Sequence, residues 1–418
     1  MRTLGILHGI SRLILLLTTL ILLQTTLQYS AAAEPAPLRT VVDEAWNAAF
    51  TRSAGWNGGD VAGSVALGDG RTLWLFGDTL YGPVADGKRV AGNVMFNNSV
   101  ALQSTGGART LEFVTGRPDA KGKPTALFPP TRAADADTNA HWEPNEEYWP
   151  TGGGCAVEID GKRRLYVGLF RIRKPKKDGG TWGFRRVGNS LGIIDDVGLP
   201  PAEWKTRVTA LPMAVGDAVT EKQSIAPPTS LSFGEVFLPY ARGVEAGFLI
   251  YGVRAPAKGK RELIAAFAPR TELENFARWQ YFAGGERWSP DAADAAALCD
   301  DIAPEFSIEP LQAKSPRPFD GYLLVQNEPL LGPGILVRTA PSPLGPWSAP
   351  REVFRPTEPA GDKDLFSYAA KGHAALSPPG ELLISYIVSA HDFWRLFREA
   401  GLYRPRFVRV PLDAVLPK

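Results

Sequence analysis

Two aspartates, Asp60 and Asp78, flank a short apolar hairpin and are the residues of the chain best placed to do chemistry. Asp60 follows a Gly-Gly pair and opens the first apolar run, and Asp78 follows Leu75-Phe76-Gly77 and closes the second. In an antiparallel hairpin those two ends are adjacent, so both carboxylates should face one edge of the sheet. Glycoside hydrolysis requires two such carboxylates, one as acid and the other as base or nucleophile, and their proximity pushes their pKa values apart. Simple turn capping is the structural alternative for each.

The hairpin that carries these aspartates recurs along the chain. In its first copy, an apolar run at residues 61–67 is followed by a Gly-Asp-Gly turn and a second apolar run at residues 72–76. Such a unit is typical of buried antiparallel strands. Four further copies, one of them less regular, are found at residues 155–159 with 165–170, 229–241 with 248–254 and 262–268, 305–311 with 322–326, and 374–376 with 382–388.

Five such units predict an all-β fold. Because one copy cannot bury its own apolar faces, the copies are expected to stack side by side. About four strands per copy favour a five-bladed β-propeller in a single domain, residues 34–418, with a pair of β-sandwiches as the alternative. We expect residues 38–42 to add a strand that closes the ring, residues 393–400 to form a helical turn, and residues 109–145 to form a long loop between blades.

Further candidate residues begin the inner strands of the other blades, because propeller ligands usually bind at one mouth of the central channel. Trp149 in the second blade could stack on a sugar ring, and Gln223 stands at the equivalent point of the third. Glu305 in the fourth blade is a third carboxylate, and His373 in the fifth is one of four histidines. We interpret all four as substrate-binding residues. The structural alternatives are core packing for the tryptophan, an ion pair for the glutamate and a buried imidazole for the histidine.

The chain opens like a secretory signal peptide. Arg2 and Arg12 precede an apolar run at residues 13–23, and small residues fill positions 30–33. The run is shorter than the about 20 apolar residues of a membrane-spanning helix. We therefore predict cleavage after residue 33 and a secreted or periplasmic protein that does not remain in the membrane, with an uncleaved anchor as the alternative.

Net charge, cysteine content and the absence of two catalytic or binding motifs argue against several classes of function. The loss of Arg2 and Arg12 would take the formal net charge from +2 to 0, which gives no electrostatic reason to bind nucleic acid or anionic lipid. Cys155 and Cys299 could form a disulfide or remain two buried thiols. The sequence has no His-Glu-x-x-His and no phosphate-binding glycine loop. We predict a monomer without a metal or other cofactor.

The opening hairpin resembles that of an exported bacterial propeller family long labelled only as a domain of unknown function. The resemblance rests on residues 55–60 and 69–79, with further matches at 98–100, 148–150, 305–307, 338–348 and 382–386. Members of that family include endo-D-arabinofuranases, which cut the D-arabinan of mycobacterial cell walls, and Asp60 and Asp78 match their proposed catalytic pair. The chain departs from the commoner family pattern directly after Asp60, where Val61-Ala62-Gly63 replaces a more polar stretch.

The resemblance implies a secreted glycoside hydrolase that acts on a furanose-containing, arabinan-like polysaccharide or oligosaccharide. A non-catalytic propeller that binds a glycan or a protein is the rival hypothesis, because one fold hosts many functions.

Overall fold

A computed structural model describes residues 40–104, 110–177, 183–213, 229–256, 258–314, 318–329 and 331–417. Within these ranges the strands form five antiparallel sheets of four to six strands, and one separate two-stranded hairpin. Each sheet is one blade, and the innermost strands contact one another in a ring around a central channel. The five-bladed β-propeller predicted from the repeated hairpin is confirmed.

The strands follow the chain blade by blade. The chain begins with β1 (Val41–Val42) and helix α1 (Glu44–Ala49). Blade 1 and its hairpin contain β2 (Trp56–Ala66), β3 (Thr72–Tyr81), β4 (Val84–Ala85), β5 (Lys88–Arg89), β6 (Val94–Phe96), β7 (Ser99–Gln103) and β8 (Leu111–Val114). Blade 2 contains β9 (Thr131–Arg132), β10 (Asn145–Ile159), β11 (Lys162–Arg173), β12 (Arg185–Ile194) and β13 (Thr206–Ala210).

Blade 3 contains β14 (Thr229–Arg242), β15 (Glu245–Pro256), β16 (Glu262–Pro269), β17 (Gln280–Phe282), β18 (Trp288–Ser289) and β19 (Cys299–Asp300). Blade 4 contains β20 (Phe306–Ala313), β21 (Phe319–Glu328), β22 (Gly332–Ala340) and β23 (Arg351–Phe354). Blade 5 contains β24 (Leu365–Gly372), β25 (Glu381–Ala390) and β26 (Pro405–Pro411). Short helices lie at α2 (Glu358–Gly361), α3 (Arg395–Arg398) and α4 (Leu412–Val415), and 3₁₀ turns at Pro201–Glu203, Phe276–Arg278, Ala292–Asp294 and Ala374–Leu376.

The N-terminal segment closes the ring. Strand β1 pairs with β26 of blade 5, which confirms the closing strand. Helix α1 begins where the Asp43 carboxylate accepts a hydrogen bond from the backbone N–H of Trp46 at 3.0 Å. The rings of Trp46 and Phe50, one helical turn apart, pack 5.3 Å from Trp74 of blade 1 and 5.5 and 5.2 Å from Phe407 of blade 5. The first and last blades are therefore joined by an aromatic core.

The two faces of the propeller differ in their connections. Successive strands of a blade run in opposite directions, so the tight turns after the inner strands, such as 67–71, 160–161 and 243–244, all lie on one face, here called the turn face. The opposite face, here called the loop face, carries the long connections, including 82–98, 115–144 and 391–404. Binding and catalytic residues are disproportionately found on such loops. The loop face is therefore the first place to look for a site.

Three expectations need correction or completion. The inner strand of blade 5 is β24, and residues 374–376 form a 3₁₀ turn, so His373 follows the inner strand and does not begin it. Residues 111–114 form the outer strand of blade 1, so the loop between blades is shorter than expected. Cys155 and Cys299 lie on β10 and β19 as free thiols. The expected helical turn at residues 393–400 is present as α3.

Candidate active site

Asp60 and Asp78 lie at an irregularity in the first hairpin. The pairing of β2 with β3 shifts register on both sides of Asp60, so Asp60 stands opposite Gly77 and Asp78. Bulges of this kind re-aim side chains and are common next to active sites. Both strands extend beyond the aspartates, so the carboxylates lie within the hairpin and not at its ends as the sequence suggested.

The Asp60 carboxylate is held by groups from the fifth blade. Its Oδ2 accepts hydrogen bonds from the hydroxyls of Tyr368 at 2.8 Å and Tyr403 at 3.0 Å. Its Oδ1 is buried and has no hydrogen-bond partner among the described residues. A Cβ atom at Gly77 would lie 2.3 Å from that oxygen, so only glycine leaves room for the carboxylate in this orientation.

Unfavourable backbone conformations concentrate around this carboxylate. Val61 and Ala62, which follow Asp60, have φ of 71° and 49°. Ala369, next to the first tyrosine, has φ of 55°, and Tyr403 itself has φ of 60°. Non-glycine residues rarely adopt positive φ, which costs about 1–3 kcal/mol each, and such strain clusters at functional sites. The surrounding packing therefore holds this part of the hairpin in a conformation that the sequence alone would not favour.

Asp78 is the end of a polar chain that crosses from blade 1 to blade 2. The Asn97 side-chain amide donates to Asp78 Oδ1 at 3.1 Å and to Glu147 Oε2 at 2.8 Å. Lys174 Nζ lies 2.7 Å from the same Glu147 oxygen. Asp78 therefore accepts one hydrogen bond, from Asn97, and lies near one positive charge, on Lys174, and one negative charge, on Glu147.

The surroundings give the two aspartates different proton affinities. Burial raises the pKa of Asp60 to about 6, opposed by the hydrogen bonds from Tyr368 and Tyr403 and by the Lys371 charge. Burial, together with the negative charge of Asp60, raises the pKa of Asp78 to about 7. Near neutral pH, Asp60 is therefore mainly ionised while Asp78 retains much of its proton.

A lysine and a third carboxylate complete the cluster. The Lys371 side chain is 2% exposed, and its Nζ lies 3.5 Å from the carbonyl oxygens of Thr151 and Phe306. A Cβ atom at Gly152 would lie 2.4 Å from Lys371 Cε, so this glycine, with φ of 99°, gives the lysine its space in the channel. Burial raises the pKa of Glu305 to about 7, opposed by the Lys371 charge. The ammonium therefore offsets part of the negative charge at the loop-face mouth.

Comparisons with known proteins identify the family. A family model described as a domain of unknown function (DUF5005) matches residues 43–412. The chain belongs to this family. No curated protein matches the chain significantly.

Solved structures support the fold of this DUF5005 chain. A protein of Bacteroides ovatus, to which a hydrolase activity is ascribed, superposes with a TM-score of 0.61 and 20% identity over 92% of this chain and 93% of its own. More distant are the GH43 protein BlXynB of Bacillus licheniformis (TM-score 0.38, 9% identity, 84% and 51% covered) and a Hadza microbial sialidase (TM-score 0.41, 10% identity, 86% and 66% covered). Only the first likeness is strong enough to support the propeller, and at that identity it supports the fold alone.

Two of the other residues selected from the sequence lie at the loop-face mouth. Glu305 acts electrostatically on Asp60. Trp149 is partly exposed on β10, two residues after Glu147 and so on the same face of the strand. Its ring packs 4.6 Å from Phe184, and its Nε1 is buried without a hydrogen-bond partner among the described residues.

The structure describes His373 but not Gln223, the other two candidate substrate-binding residues. His373 is 1% exposed, and its ring nitrogens lie 2.7 Å from Ser64 Oγ and 2.8 Å from Ser385 Oγ. Burial lowers its pKa to about 3, and its ring lies 4.9 Å from Trp74. This environment corresponds to the structural alternative, a neutral histidine whose two nitrogens are both occupied. Gln223 lies outside the described residues.

The residues that the sequence reading missed come from remote positions. Tyr368 and Tyr403 follow Asp60 by more than 300 positions, and nothing in the sequence around them marks them. Asn97 directly precedes residues 98–100, which belong to the family resemblance, but only the folded structure places its side chain between Asp78 and Glu147. Within the described ranges no group of three or more His, Cys, Asp or Glu residues is arranged to hold a metal ion.

Arg89 fixes the segment that ends at Tyr403. Its buried guanidinium donates to Asn57 Oδ1 at 2.7 Å, to the Asn57 carbonyl at 2.8 Å and to the Leu402 carbonyl at 2.9 Å. It also donates to the Leu396 carbonyl. Because Asn57 lies just before Asp60 on β2, one side chain joins the strand of the aspartate to the loop of the tyrosine.

A separate cavity of about 580 Å³ opens at the turn face. Glu235, Phe237, Arg270, Glu309 and Lys371 are among its lining residues, and the Lys371 charge interacts with both Glu235 and Asp60. Burial raises the pKa values of Glu235 and Glu309 to about 7. This mouth therefore also contains buried carboxylates, but Tyr368 and Tyr403 are not among the described residues that line it.

Proposed function

We propose that this protein is an exported glycoside hydrolase that uses Asp60 and Asp78 to cleave a furanose-containing, arabinan-like polysaccharide. The observation that carries the proposal is the pairing of two aspartates at one bulge in environments that separate their protonation. Asp60 accepts hydrogen bonds from two tyrosine hydroxyls, while Asp78 has the higher pKa. Separate proton affinities in one carboxylate pair are typical of an acid and its base or nucleophile.

In this mechanism Asp78 is the general acid. It donates its proton to the glycosidic oxygen as the bond to the anomeric carbon breaks, and the departing sugar leaves with a hydroxyl group. Asp60 remains ionised and faces the positive charge that develops on the sugar ring, either as nucleophile or as the base that takes a proton from the attacking water. Hydrogen bonds from Tyr368 and Tyr403 favour the ionised form of Asp60 and fix its orientation.

Glu305 is a second candidate for the acid. Its pKa is raised to about 7, like that of Asp78, and its charge is coupled to Asp60. We favour Asp78 because it shares the hairpin bulge with Asp60 and because Lys371 lowers the proton affinity of Glu305. A substrate with a good leaving group separates the two, since removal of the true acid should affect such a substrate least.

Two features support the substrate class and location. The first hairpin matches the family pattern that includes endo-D-arabinofuranases, and Trp149 offers an aromatic surface near the carboxylates. The N-terminal segment has the composition of a secretory signal, so the substrate is expected outside the cytoplasm. In the described part of the chain no helix is long and apolar enough to cross a membrane.

The test is digestion of a glycan panel, including D-arabinan, by residues 34–418, scored by released oligosaccharides. We expect wild type to release oligosaccharides, Asp60→Asn and Asp78→Asn to release almost none, and Glu309→Gln, which changes a buried carboxylate at the turn face, to retain activity. Binding of a glycan by wild type without any cleavage would support the rival hypothesis, a non-catalytic glycan-binding propeller.

A further inference from the structure

An exposed aromatic cluster lies on the loop face. Trp394 is 65% exposed, and it is the aromatic member of the exposed large hydrophobic side chains in the described residues. Its ring lies 5.5 Å from Phe393 and 5.7 Å from Phe397, and those two rings are 5.8 Å apart. The phenylalanines therefore brace the tryptophan from within the loop while one side of the indole remains in solvent.

This cluster is continuous with the candidate active site. Trp394 belongs to the connection 391–404, whose later part carries Tyr403, the residue that donates a hydrogen bond to Asp60. Arg89 binds the carbonyls of Leu396 and Leu402, both within this loop. The segment between the exposed indole and the tyrosine is thus fixed to the first hairpin.

The charged residues around the tryptophan are already paired. Arg395 lies 2.6 Å from Asp362 and 2.7 Å from Glu399, and Arg398 contacts Asp392. These contacts hold α3 in place, so the aromatic surface is formed before any ligand arrives. Because these charged side chains already form ion pairs within the chain, the surface presents mainly the apolar face of the indole ring to a ligand.

A sugar ring fits this surface better than another protein does. The indole combines a flat apolar face with a polar N–H, and a sugar ring likewise combines an apolar C–H face with hydroxyl groups. A stable protein interface buries roughly 1,200–2,000 Å². One exposed tryptophan is far short of such an area.

We propose that Trp394 is a stacking subsite for one sugar residue of a glycan chain whose scissile bond lies at Asp60 and Asp78. The inference rests on the proposed function and extends it, because a subsite outside the reacting pair favours long chains over short ones. The protein then acts within a polymer and binds it along the loop face.

The first test compares a polymer with a short substrate. Trp394→Ala should raise KM for D-arabinan about 5- to 10-fold, in line with the energy of one aromatic contact, without a change in kcat. KM for a short aryl arabinofuranoside should stay the same, and Trp394→Phe should restore most of the polymer affinity. Val244→Ala, at an exposed apolar residue on the turn face, is the matched control.

The second test needs no catalysis. Asp60→Asn protein is run through gels that contain arabinan, with and without Trp394→Ala, and retardation by the polymer is measured. We expect the added Trp394→Ala change to abolish most of the retardation. If wild type cleaves nothing but this retardation depends on Trp394, the subsite is supported while the hydrolase proposal fails. If arabinan is cleaved with an unchanged KM in Trp394→Ala, the subsite is wrong and the hydrolase proposal stands. A Trp394→Ala variant that loses only self-association would also overturn the subsite.

Discussion

The two mouths of the propeller channel share one chemical feature and differ in the rest. Each contains buried carboxylates with a raised pKa: Asp60 and Asp78 at the loop face, Glu235 and Glu309 at the turn face. At the loop face, groups from other blades converge on the carboxylates, and the backbone there is strained. At the turn face, Glu235 accepts a hydrogen bond from the nearby Ser232 hydroxyl, and Glu309 accepts one from a main-chain group, the Ala374 N–H of the neighbouring blade, at 2.7 Å. A perturbed pKa therefore accompanies burial at both mouths, and the convergence of side chains from distant segments on strained backbone distinguishes the candidate site.

The largest expected effect separates the two mouths by activity. Asp78→Asn should lower kcat on arabinan at least about 10³-fold, because it removes the proposed acid, whereas Glu309→Gln should change kcat less than about 3-fold. On an aryl arabinofuranoside with a good leaving group, Asp78→Asn should lose much less, since that bond needs little protonation. Steady-state kinetics on both substrates measures this difference. An equal loss of kcat in Glu309→Gln would mean that the two mouths are not functionally distinct. If Glu305→Gln is the variant that loses activity on arabinan but keeps it on the aryl arabinofuranoside, the acid is Glu305.

The next largest effect concerns Arg89, which ties the aspartate strand to the tyrosine loop. Arg89→Met leaves the carbonyls of Leu396 and Leu402 without their donor, so we expect a loss of at least about 2 kcal/mol in the free energy of unfolding. Arg89→Lys should recover part of the stability but not the forked geometry, and kcat should stay low while KM changes little. Denaturant unfolding and kinetics together check this. Arg242→Met, at a partly exposed arginine on the turn face, is the control and should leave kcat unchanged.

The pH profile tests the separation of roles inside the loop-face pair. Activity requires Asp60 ionised and Asp78 protonated, so kcat/KM should be bell-shaped with its limbs near the pKa values of about 6 and about 7. The tyrosine hydroxyls stabilise the ionised form of Asp60. Tyr403→Phe should therefore raise the pKa of Asp60 and move the acid limb to higher pH, which narrows the optimum.

The control for that profile is Tyr251→Phe, which removes a buried hydroxyl that donates to the Pro343 carbonyl at 2.7 Å, remote from the aspartates. Its profile should coincide with that of wild type. An acid limb that does not move in Tyr403→Phe would show that Asp60 is not the group whose ionisation limits activity at low pH.

Some parts of the candidate site could be predicted from the sequence and others could not. Asp60, Asp78 and their hairpin were predictable because the turn and the apolar alternation are local signals. Tyr368 and Tyr403 were not, because their role depends on closure of the ring by the fifth blade. The inner strand of that blade was misplaced for a related reason: its channel-facing positions include the polar Lys371, which breaks the apolar pattern, while the apolar residues 374–376 fold as a 3₁₀ turn.

A smaller effect is expected in the pH dependence of stability. The carboxylates of both mouths have folded pKa values above the ordinary value of about 4. As pH rises from 4 to 7, the unfolded chain therefore releases protons first, and these groups make the folded state progressively less stable. Asp60→Asn and Glu309→Gln should each flatten the fall in Tm over this range relative to wild type. A steeper fall in either variant would contradict the direction of the shift.

The smallest effect concerns the strained backbone beside Asp60 at the loop-face mouth. Ala62→Gly removes the Cβ atom that makes φ of 49° unfavourable, while glycine adds unfolded-state entropy, so the free energy of unfolding should rise by no more than about 1 kcal/mol. Ala101→Gly, at an equally buried alanine on β7, has only the entropic cost and should lower it by about 0.5–1 kcal/mol. If the backbone at Ala62 is strained, denaturant unfolding should show changes of opposite sign in the free energy of unfolding of the two variants. If Ala62→Gly is stabilised and also loses kcat, the strained turn after Asp60 orients the carboxylate; if both variants lose stability equally, the backbone there carries no strain.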